Sequence, residues 1–486
     1  MGIKLLIGNT HLKIEGASLK ILRTIDRLCA YRIAGYLFSP SYKSHRWDGR
    51  EHLFKFTKRD GYRAPAGLTT DIIDLLKKKQ ISFKISYETK LKHSRVELKW
   101  NPKIKLRDYQ KEAVAGMLSK PFPGRGVLKM PIRSGKTRTS AKIIYKIGRP
   151  TLFVVPSKWL LYQTIESLKE CFIDADIGQI GDGVYKPGFI TVATVQTLSQ
   201  MAPVRRTKKK PGRIAHPKYQ SLISNFDLVI TDESHHFRGK NEWCKVFVDI
   251  DARFKIGLSA TVFFDNESEQ EAGIIWLKGA CGPIKHEVPA SRLIKEGYLL
   301  PQRVKIYKIE KPEIPEGSRY SATLKKRCIT ENKYRNEIIA HIVKEHIPSK
   351  TIIIANEHAH INSICKELSN LNIKHKTLTG RDSQDRRDSV VRDFLDDQFH
   401  VIVGNVLGEG VDIPAVECVV NAEGGKDEKK TWQRQRNLTI VEGSKKAPIL
   451  IDFLDSTSNY FRKHSEARIS IYSGEQEFTV EYVKCP

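Results

Sequence analysis

The chain has 486 residues, with 83 Lys+Arg against 55 Asp+Glu, a formal charge of +28 and a pI near 9.6. The length suggests about three domains, and so large a positive excess favours a polyanionic partner, because neutralising phosphates releases condensed counterions. Eight scattered cysteines without a C-x-x-C pair argue against a zinc ribbon or a disulfide framework. No HExxH pattern occurs, and no apolar run approaches the roughly 20 residues of a membrane span. Met1-Gly2-Ile3-Lys4-Leu5-Leu6 carries neither a signal h-region nor a myristoylation serine. A soluble cytoplasmic protein is expected, in the host cytoplasm if viral, without a membrane partner.

In chain order, residues 1–100 hold short strand-like pieces, a turn-rich centre at Trp47-Asp48-Gly49 and one helix near Thr70–Lys79. A small α+β domain is expected there, with a boundary at Asn101-Pro102. Tyr36 and Trp47 read as its core ahead of a base-stacking platform, while Arg46, Arg50, Lys55, Lys58 and Arg59 suit duplex phosphates.

From residue 102 to 460, short apolar runs alternate with helical patterns, as in parallel α/β units. The β-branched runs Thr151–Val155, Phe226–Thr231, Lys255–Ser259, Thr351–Ala355, Phe399–Gly404, Val416–Asn421 and Pro448–Phe453 are nearly continuous in hydrophobicity, so both faces should be buried. They form two groups separated by Gly282–Lys326, which is rich in Pro, Gly and charge and reads as a linker. The expected lobes are residues 101–285 and 286–470, with a tail at 471–486. The basic run Arg205–Arg213 reads as a disordered insertion, either a DNA-contacting loop, a localisation signal or a solvated segment.

Two motifs carry chemistry. Pro131-Ile132-Arg133-Ser134-Gly135-Lys136-Thr137 follows a strand-like Val127-Leu128 and opens a helix running to Ile147, stopped by Gly148 and Pro150. Backbone N–H groups of such a helix N-terminus receive phosphate oxygens; Lys136 would neutralise phosphate charge, and Thr137 would ligate Mg²⁺. The loop departs from G-x-x-x-x-G-K-[ST]: Met130 replaces the first glycine, and Arg133 stands where another glycine is usual. Ninety-six residues after Lys136 comes Asp232-Glu233-Ser234-His235 at a strand end. There Asp232 suits Mg²⁺, and Glu233 suits the orientation or deprotonation of attacking water.

The order of these motifs resembles the superfamily 2 helicases over roughly residues 102–453. Leu106-Arg107-Asp108-Tyr109-Gln110 resembles the adenine-reading motif, through Arg107 and Gln110. Thr151–Pro156 and Ile190–Gln196 resemble strand ends that touch the DNA backbone, through Pro156, Thr194 and Gln196. Asp232–His235 is similar to a DExH box, and Ser259-Ala260-Thr261 to the coupling motif, which assigns coupling to His235, Ser259 and Thr261. In the second lobe, Leu378-Thr379-Gly380 resembles a DNA-facing motif through Thr379 and Gly380, and Gly408–Pro414 resembles motif V through Gly410 and Asp412. Motif VI fits least well: Gln433 and Arg436 take its positions, with Arg436 the arginine finger, Arg434 the reserve, and Thr439 in place of a second arginine. Gly35–Pro40 with Arg46–Arg50, and Ile329–Asn336, resemble UvsW-type phage helicases.

The resemblance implies two RecA-like parallel-sheet lobes around an ATP–Mg²⁺ cleft, preceded by the small α+β domain. It places Arg133, Ser134, Gly135, Lys136, Thr137, Gly410 and Asp412 on the nucleotide, and Glu233, Lys136, Gln433 and Arg436 in catalysis. Arg46 and Arg50 join the lobe motifs on DNA. The implied activity is that of a monomeric ATP-dependent helicase remodelling branched DNA (forks, Holliday junctions, D-loops, R-loops), with duplex and single strands also bound. A duplex translocase without strand separation, and a nucleic-acid-binding protein whose motor has decayed, are the rival readings.

Overall fold

A computed structural model describes residues 2–131, 133–203, 212–237, 239, 241–260, 267–299, 301, 303–314, 322–405, 413, 416–425, 448–473 and 478–486. Among the motif residues, Thr261, Gly410, Asp412, Gln433, Arg434, Arg436, Thr439 and the basic run from Arg205 to Pro211 lie outside them. The chain forms two compact units, Met1–Pro289 and Ala290–Pro486.

The first unit begins with β1 (Ile3–Ile7), β2 (His11–Glu15), β3 (Ala30–Arg32), β4 (Arg50–His52), β5 (Lys55–Thr57), β6 (Gly61–Pro65) and β7 (Phe83–Tyr87). The sheet order is β5-β6-β2-β1-β7, antiparallel except where β7 joins β1, and β3 pairs with β4. Helices Leu19–Leu28 and Thr69–Lys78 turn Leu22, Ile25, Ile72, Ile73 and Leu76 onto Leu5, Leu12 and Ile14. Tyr36 and Trp47 are not part of this core, contrary to the expectation. Both are half-buried: Tyr36 meets the Tyr42 ring edge-on at 4.8 Å, and Trp47 Nε1 donates to the Arg50 carbonyl at 2.8 Å.

Nor does this α+β portion stand apart from the remainder of the first unit. Ala272, Ile275 and Trp276 of helix Glu267–Cys281 pack against its core. Lys278 Nζ reaches Asp71 Oδ1 at 2.7 Å, and Trp276 Nε1 donates to the Tyr31 hydroxyl at 3.0 Å. Gly67 is needed because any Cβ there would collide with the Lys278 carbonyl.

The rest of the first unit is an eight-stranded sheet: β8 (Arg125–Lys129), β9 (Thr151–Val155), β10 (Ile177–Gly181), β11 (Val184–Lys186), β12 (Ile190–Thr194), β13 (Leu228–Thr231), β14 (Phe254–Ser259) and β15 (Ile284–Glu287). Its order is β11-β10-β12-β9-β13-β14-β8-β15, parallel apart from the β10–β11 hairpin. β9, β12 and β13 are buried at every position, which explains their unbroken apolar sequence.

The second unit carries β16 (Arg303–Ile309), β17 (Thr351–Ile354), β18 (His375–Leu378), β19 (Val401–Gly404), β20 (Cys418–Asn421), β21 (Ile449–Asp455) and β22 (Thr479–Val483). They are wholly parallel in the order β18-β19-β17-β20-β21-β16-β22. Two expectations are corrected here. The supposed linker Gly282–Lys326 contains β15 and β16; the alternating Arg-Val-Lys-Ile-Tyr-Lys-Ile of β16 hides an interior strand whose Val304, Ile306, Tyr307 and Ile309 are buried. The supposed tail supplies β22, hydrogen-bonded to β16. The architecture is α/β, two RecA-like parallel-sheet lobes in tandem behind an α+β portion.

Candidate active site

β8 delivers the phosphate loop. Met130 N–H donates to the Ser259 carbonyl at 3.0 Å, fixing the loop's start to the end of β14. The chain then folds on itself, with Ser134 Oγ donating to the Pro131 carbonyl at 2.6 Å. Arg133 has φ +63° and Gly135 φ +77°, both left-handed. This explains the glycine usual at position 133, since an L side chain adopts that region only at some cost. Helix Lys136–Ile147 starts at Gly135 without a side-chain cap, so its first N–H groups form an anion-receiving end. Lys136 and Thr137 are half-buried on that first turn.

Gln110 and Arg107 have a different setting from a purely adenine-facing one. Gln110 is buried; its Nε2 donates to the Ser134 carbonyl at 2.9 Å and its Oε1 accepts from the Arg107 N–H at 2.9 Å. The Tyr109 hydroxyl donates to the same Ser134 carbonyl at 2.9 Å and accepts from Arg107 Nη1 at 3.3 Å. The start of helix Asp108–Leu118 therefore grips the phosphate loop from behind.

β13, two strands away from β8 across β14, ends at the acidic pair. Asp232 Oδ1 accepts from the Glu233 N–H at 2.9 Å, and Glu233 is left-handed at φ +49°. That kink turns the chain into the short helix Ser234–His236. His235 Nδ1 then lies 3.3 Å from Glu233 Oε2 and 3.1 Å from Ser259 Oγ, with all three residues buried. This one ring nitrogen thus links the second carboxylate to the hydroxyl at the end of the neighbouring strand, a relay of contacts through the imidazole. Thr137 and Asp232 offer hydroxyl and carboxylate oxygens, hard donors that suit Mg²⁺ completed by phosphate and water.

The strands on the other side of β13 place a second group. Pro156 follows β9 and Thr194 ends β12, side by side in the sheet. Gln196 Nε2 donates to the Pro156 carbonyl at 2.8 Å, and the Thr194 and Thr197 hydroxyls are 2.8 Å apart. Asp182, just past β10, stands beside this group; it accepts from Tyr162 at 2.8 Å and pairs with Lys158. The hydrogen bond from Lys158 holds its carboxyl below the usual range.

In the second unit, Thr379 and Gly380 follow β18. Thr379 N–H and Oγ1 donate to Asp382 Oδ2 at 2.6 and 3.0 Å, and Gly380 N–H donates to Asn405 Oδ1 at 3.0 Å. Asn405, after β19, reaches the Asn356 carbonyl after β17 at 3.3 Å; Asn356 N–H in turn donates to Glu423 Oε2, after β20, at 2.8 Å. Asn356, Asp382, Asn405 and Glu423 make up this network, which no sequence motif announced. Their available signal was position: each stands within a few residues of a strand's carboxyl end.

Arg46 is exposed and Arg50 half-buried, the latter with its N–H on Asp48 Oδ1 at 3.0 Å. Beside them His52 lies 2.8 Å from Asp26 and 3.1 Å from Asp48. Partial burial lowers its pKa, but the two carboxylates prevail and the net shift is upward.

A phosphate loop and an acidic pair at nearby carboxyl ends of one parallel sheet, followed in sequence by a second parallel-sheet lobe, define an ATP-driven nucleic-acid motor. Residues 103–264 match the family "Type III restriction enzyme, res subunit", and residues 334–436 match the helicase conserved C-terminal domain. The chain belongs to the superfamily 2 helicases and is an ATP-dependent helicase. It resembles the ATP-dependent DNA helicase uvsW of Enterobacteria phage T4, 23% identical, covering 92% of this chain and 92% of that one. Putative helicase 22 of Sulfolobus islandicus filamentous virus is 23% identical over 95% of this chain and 82% of its own. Among solved structures, S. cerevisiae Dbp5 bound to RNA and ADP BeF3 superposes with a TM-score of 0.54 at 16% identity, covering 77% of this chain and 89% of the other, a likeness of fold. No helix among the described residues is long and apolar enough to cross a membrane.

Proposed function

We propose that this helicase acts on DNA and remodels branched substrates, such as forks, four-way junctions and displaced-strand loops, at the expense of ATP. The observation that carries the motor reading is the Glu233–His235–Ser259 relay, because it joins the acidic pair to the strand that also anchors the phosphate loop. In this reading the first turn of helix Lys136–Ile147 receives phosphate oxygens, Lys136 offsets their charge, and Thr137 and Asp232 would hold Mg²⁺, which would supply positive charge to the phosphates. Glu233 orients and deprotonates water. His235 and Ser259 report the state of that carboxylate to the rest of the lobe. Pro156, Thr194 and Gln196 in one lobe, and Thr379 and Gly380 in the other, contact the DNA backbone, so binding carries little sequence preference. Arg46 and Arg50 add phosphate contacts.

Resemblance along nearly the whole chain to uvsW, an ATP-dependent DNA helicase, supports DNA as the substrate, and the branched preference follows from the UvsW-type motifs at Gly35–Pro40, Arg46–Arg50 and Ile329–Asn336. The test is ATPase activity with single-stranded, duplex, forked and four-way DNA at matched salt. Preferential stimulation by the branched molecules is expected; equal stimulation by all four removes the branched-DNA assignment. The match to a restriction-enzyme family favours a second reading, translocation on duplex without strand separation. Triplex displacement without unwinding would select it.

A further inference from the structure

Beside β16, at the carboxyl edge of the second lobe's sheet, the described residues line an open cleft of about 760 Å³. Lys311 and Glu313 enter it from the segment after β16. Lys326 and Arg327 come from the π-helical turn Lys326–Thr330, and Lys333 and Tyr334 from the first turn of helix Lys333–His346. π-helical turns inside helical segments are uncommon and occur often at functional sites.

Charge in the cleft is unbalanced. Lys311, Lys326, Arg327 and Lys333 face two carboxylates, Glu313 and Glu331. Lys326 pairs with Glu331 at 3.4 Å and Lys333 with Glu337 at 3.5 Å, both exposed contacts worth little in water. Lys311 lies over the Tyr334 ring at 5.5 Å, and Arg327 is exposed and makes no ion pair among the described residues. Positive charge beside an aromatic face is the pairing that single-stranded nucleic acid selects, with phosphates on the cations and a base on the ring.

The cleft is also tied to the strand-end network. Lys325, next to the π-turn, holds Glu357 Oε1 at 2.6 Å and Glu423 Oε1 at 3.3 Å, and Glu423 holds the Asn356 N–H. β16 lies five strands from β18, the strand before Thr379 and Gly380. At ~4.8 Å per strand the separation is roughly 24 Å, a span that one strand several nucleotides long can bridge.

We infer that this cleft is a further binding site for a single DNA strand, gripping phosphates with Lys311, Lys326, Arg327 and Lys333 some distance along the same sheet edge from the Thr379–Gly380 contacts. The site rests on the assignment of this chain to DNA. The test uses the full chain and a fluorescein-labelled 20-mer of deoxythymidylate, titrated at several salt concentrations. Lys311→Ala/Arg327→Ala is compared with Lys344→Ala/Lys366→Ala, which removes the same charge from two other exposed positions of this unit. Two lost phosphate contacts reduce the slope of log K against log salt by about 1.4 and weaken binding roughly 60-fold at ~50 mM salt; the control pair moves neither. Equal behaviour of the two pairs, with wild type binding the 20-mer and stimulated by it, overturns the cleft alone. A wild-type chain that neither binds the 20-mer nor is stimulated by it overturns the DNA assignment beneath it. Inorganic pyrophosphate retained by wild type and not by the cleft variant, with no competition from the 20-mer, identifies a small-phosphate site and also overturns the inference.

Discussion

Replacing Gly135 with alanine tests whether Gln110 is a brace for the phosphate loop. Left-handed backbone at position 135 costs an alanine about 1–2 kcal/mol. Its Cβ would also fall inside the van der Waals envelope of Gln110 Nε2. Gln110 cannot yield freely, because it is buried between the Ser134 carbonyl and the Arg107 N–H, each at 2.9 Å. Moving it forfeits two hydrogen bonds, about 0.5–1.5 kcal/mol each. The sum is about 2–5 kcal/mol. Expressed wholly in kcat/KM for ATP at saturating DNA, that is a fall of roughly 30- to several-thousand-fold. In a Gln110→Ala background the clash has no partner, and the same substitution costs only about 1–2 kcal/mol. A kinetic double-mutant cycle therefore shows a coupling well beyond the ~0.5 kcal/mol scatter of independent sites. If Gly135→Ala costs the same in both backgrounds, Gln110 does not brace the loop and the reasoning fails.

Glu233→Gln should abolish DNA-stimulated ATP hydrolysis while leaving nucleotide binding measurable; appreciable stimulated turnover would reject the assigned role. His235→Ala and Ser259→Ala should be non-additive in stimulated ATPase by about 0.5–1.5 kcal/mol, the worth of their shared hydrogen bond, and additivity would remove the relay. Arg133→Gly relieves left-handed strain and should leave the melting temperature equal or higher, yet slow turnover if the guanidinium serves the phosphates; a neutral or faster enzyme refutes that role. His360 is fully buried, which pushes its pKa down to about 3, with Arg335 and Lys325 acting in the same direction. Below the unfolded value near 6.5 the unfolded chain takes up the proton first. Stability is therefore complete above about pH 6.5 and falls by ~1.4 kcal/mol per pH unit toward pH 3. Melting of the His360→Leu chain, compared with wild type between pH 7 and 5, should show a flatter acid limb; an unchanged limb refutes it.

The strands that carry the site were readable because burial on both faces leaves an unbroken apolar run, as at Thr151–Val155 and Thr351–Ile354. β16 and β22 were not, since alternation with lysine and glutamate gives an interior or edge strand the texture of a linker or tail. Lys136, Asp232 and Glu233 announce themselves through chemistry that few other settings require. Gln110 is harder: its residue type fits adenine recognition, and only the fold reveals the Ser134 carbonyl beside its amide. Arg133 shows the opposite case, where a departure from pattern in the sequence acquires a backbone angle in the structure. Tyr36 and Trp47 misled because large aromatics usually fill small cores, whereas here helices Leu19–Leu28 and Thr69–Lys78 supply enough aliphatic surface without them.

Helix Glu267–Cys281 is about 22 Å long at ~1.5 Å per residue. It starts a few residues beyond the strand that anchors the phosphate loop, and its Trp276, Ile275 and Ala272 are roofed by the first hundred residues. Cutting the chain at Asn101 would thus not yield a minimal motor. It would bare an aromatic and aliphatic stripe, cut Lys278 from Asp71 and Trp276 from Tyr31, and leave a fragment prone to self-association. What looks like an attachable module is the outer wall of the catalytic lobe, and transplanting either piece into another protein requires carrying both.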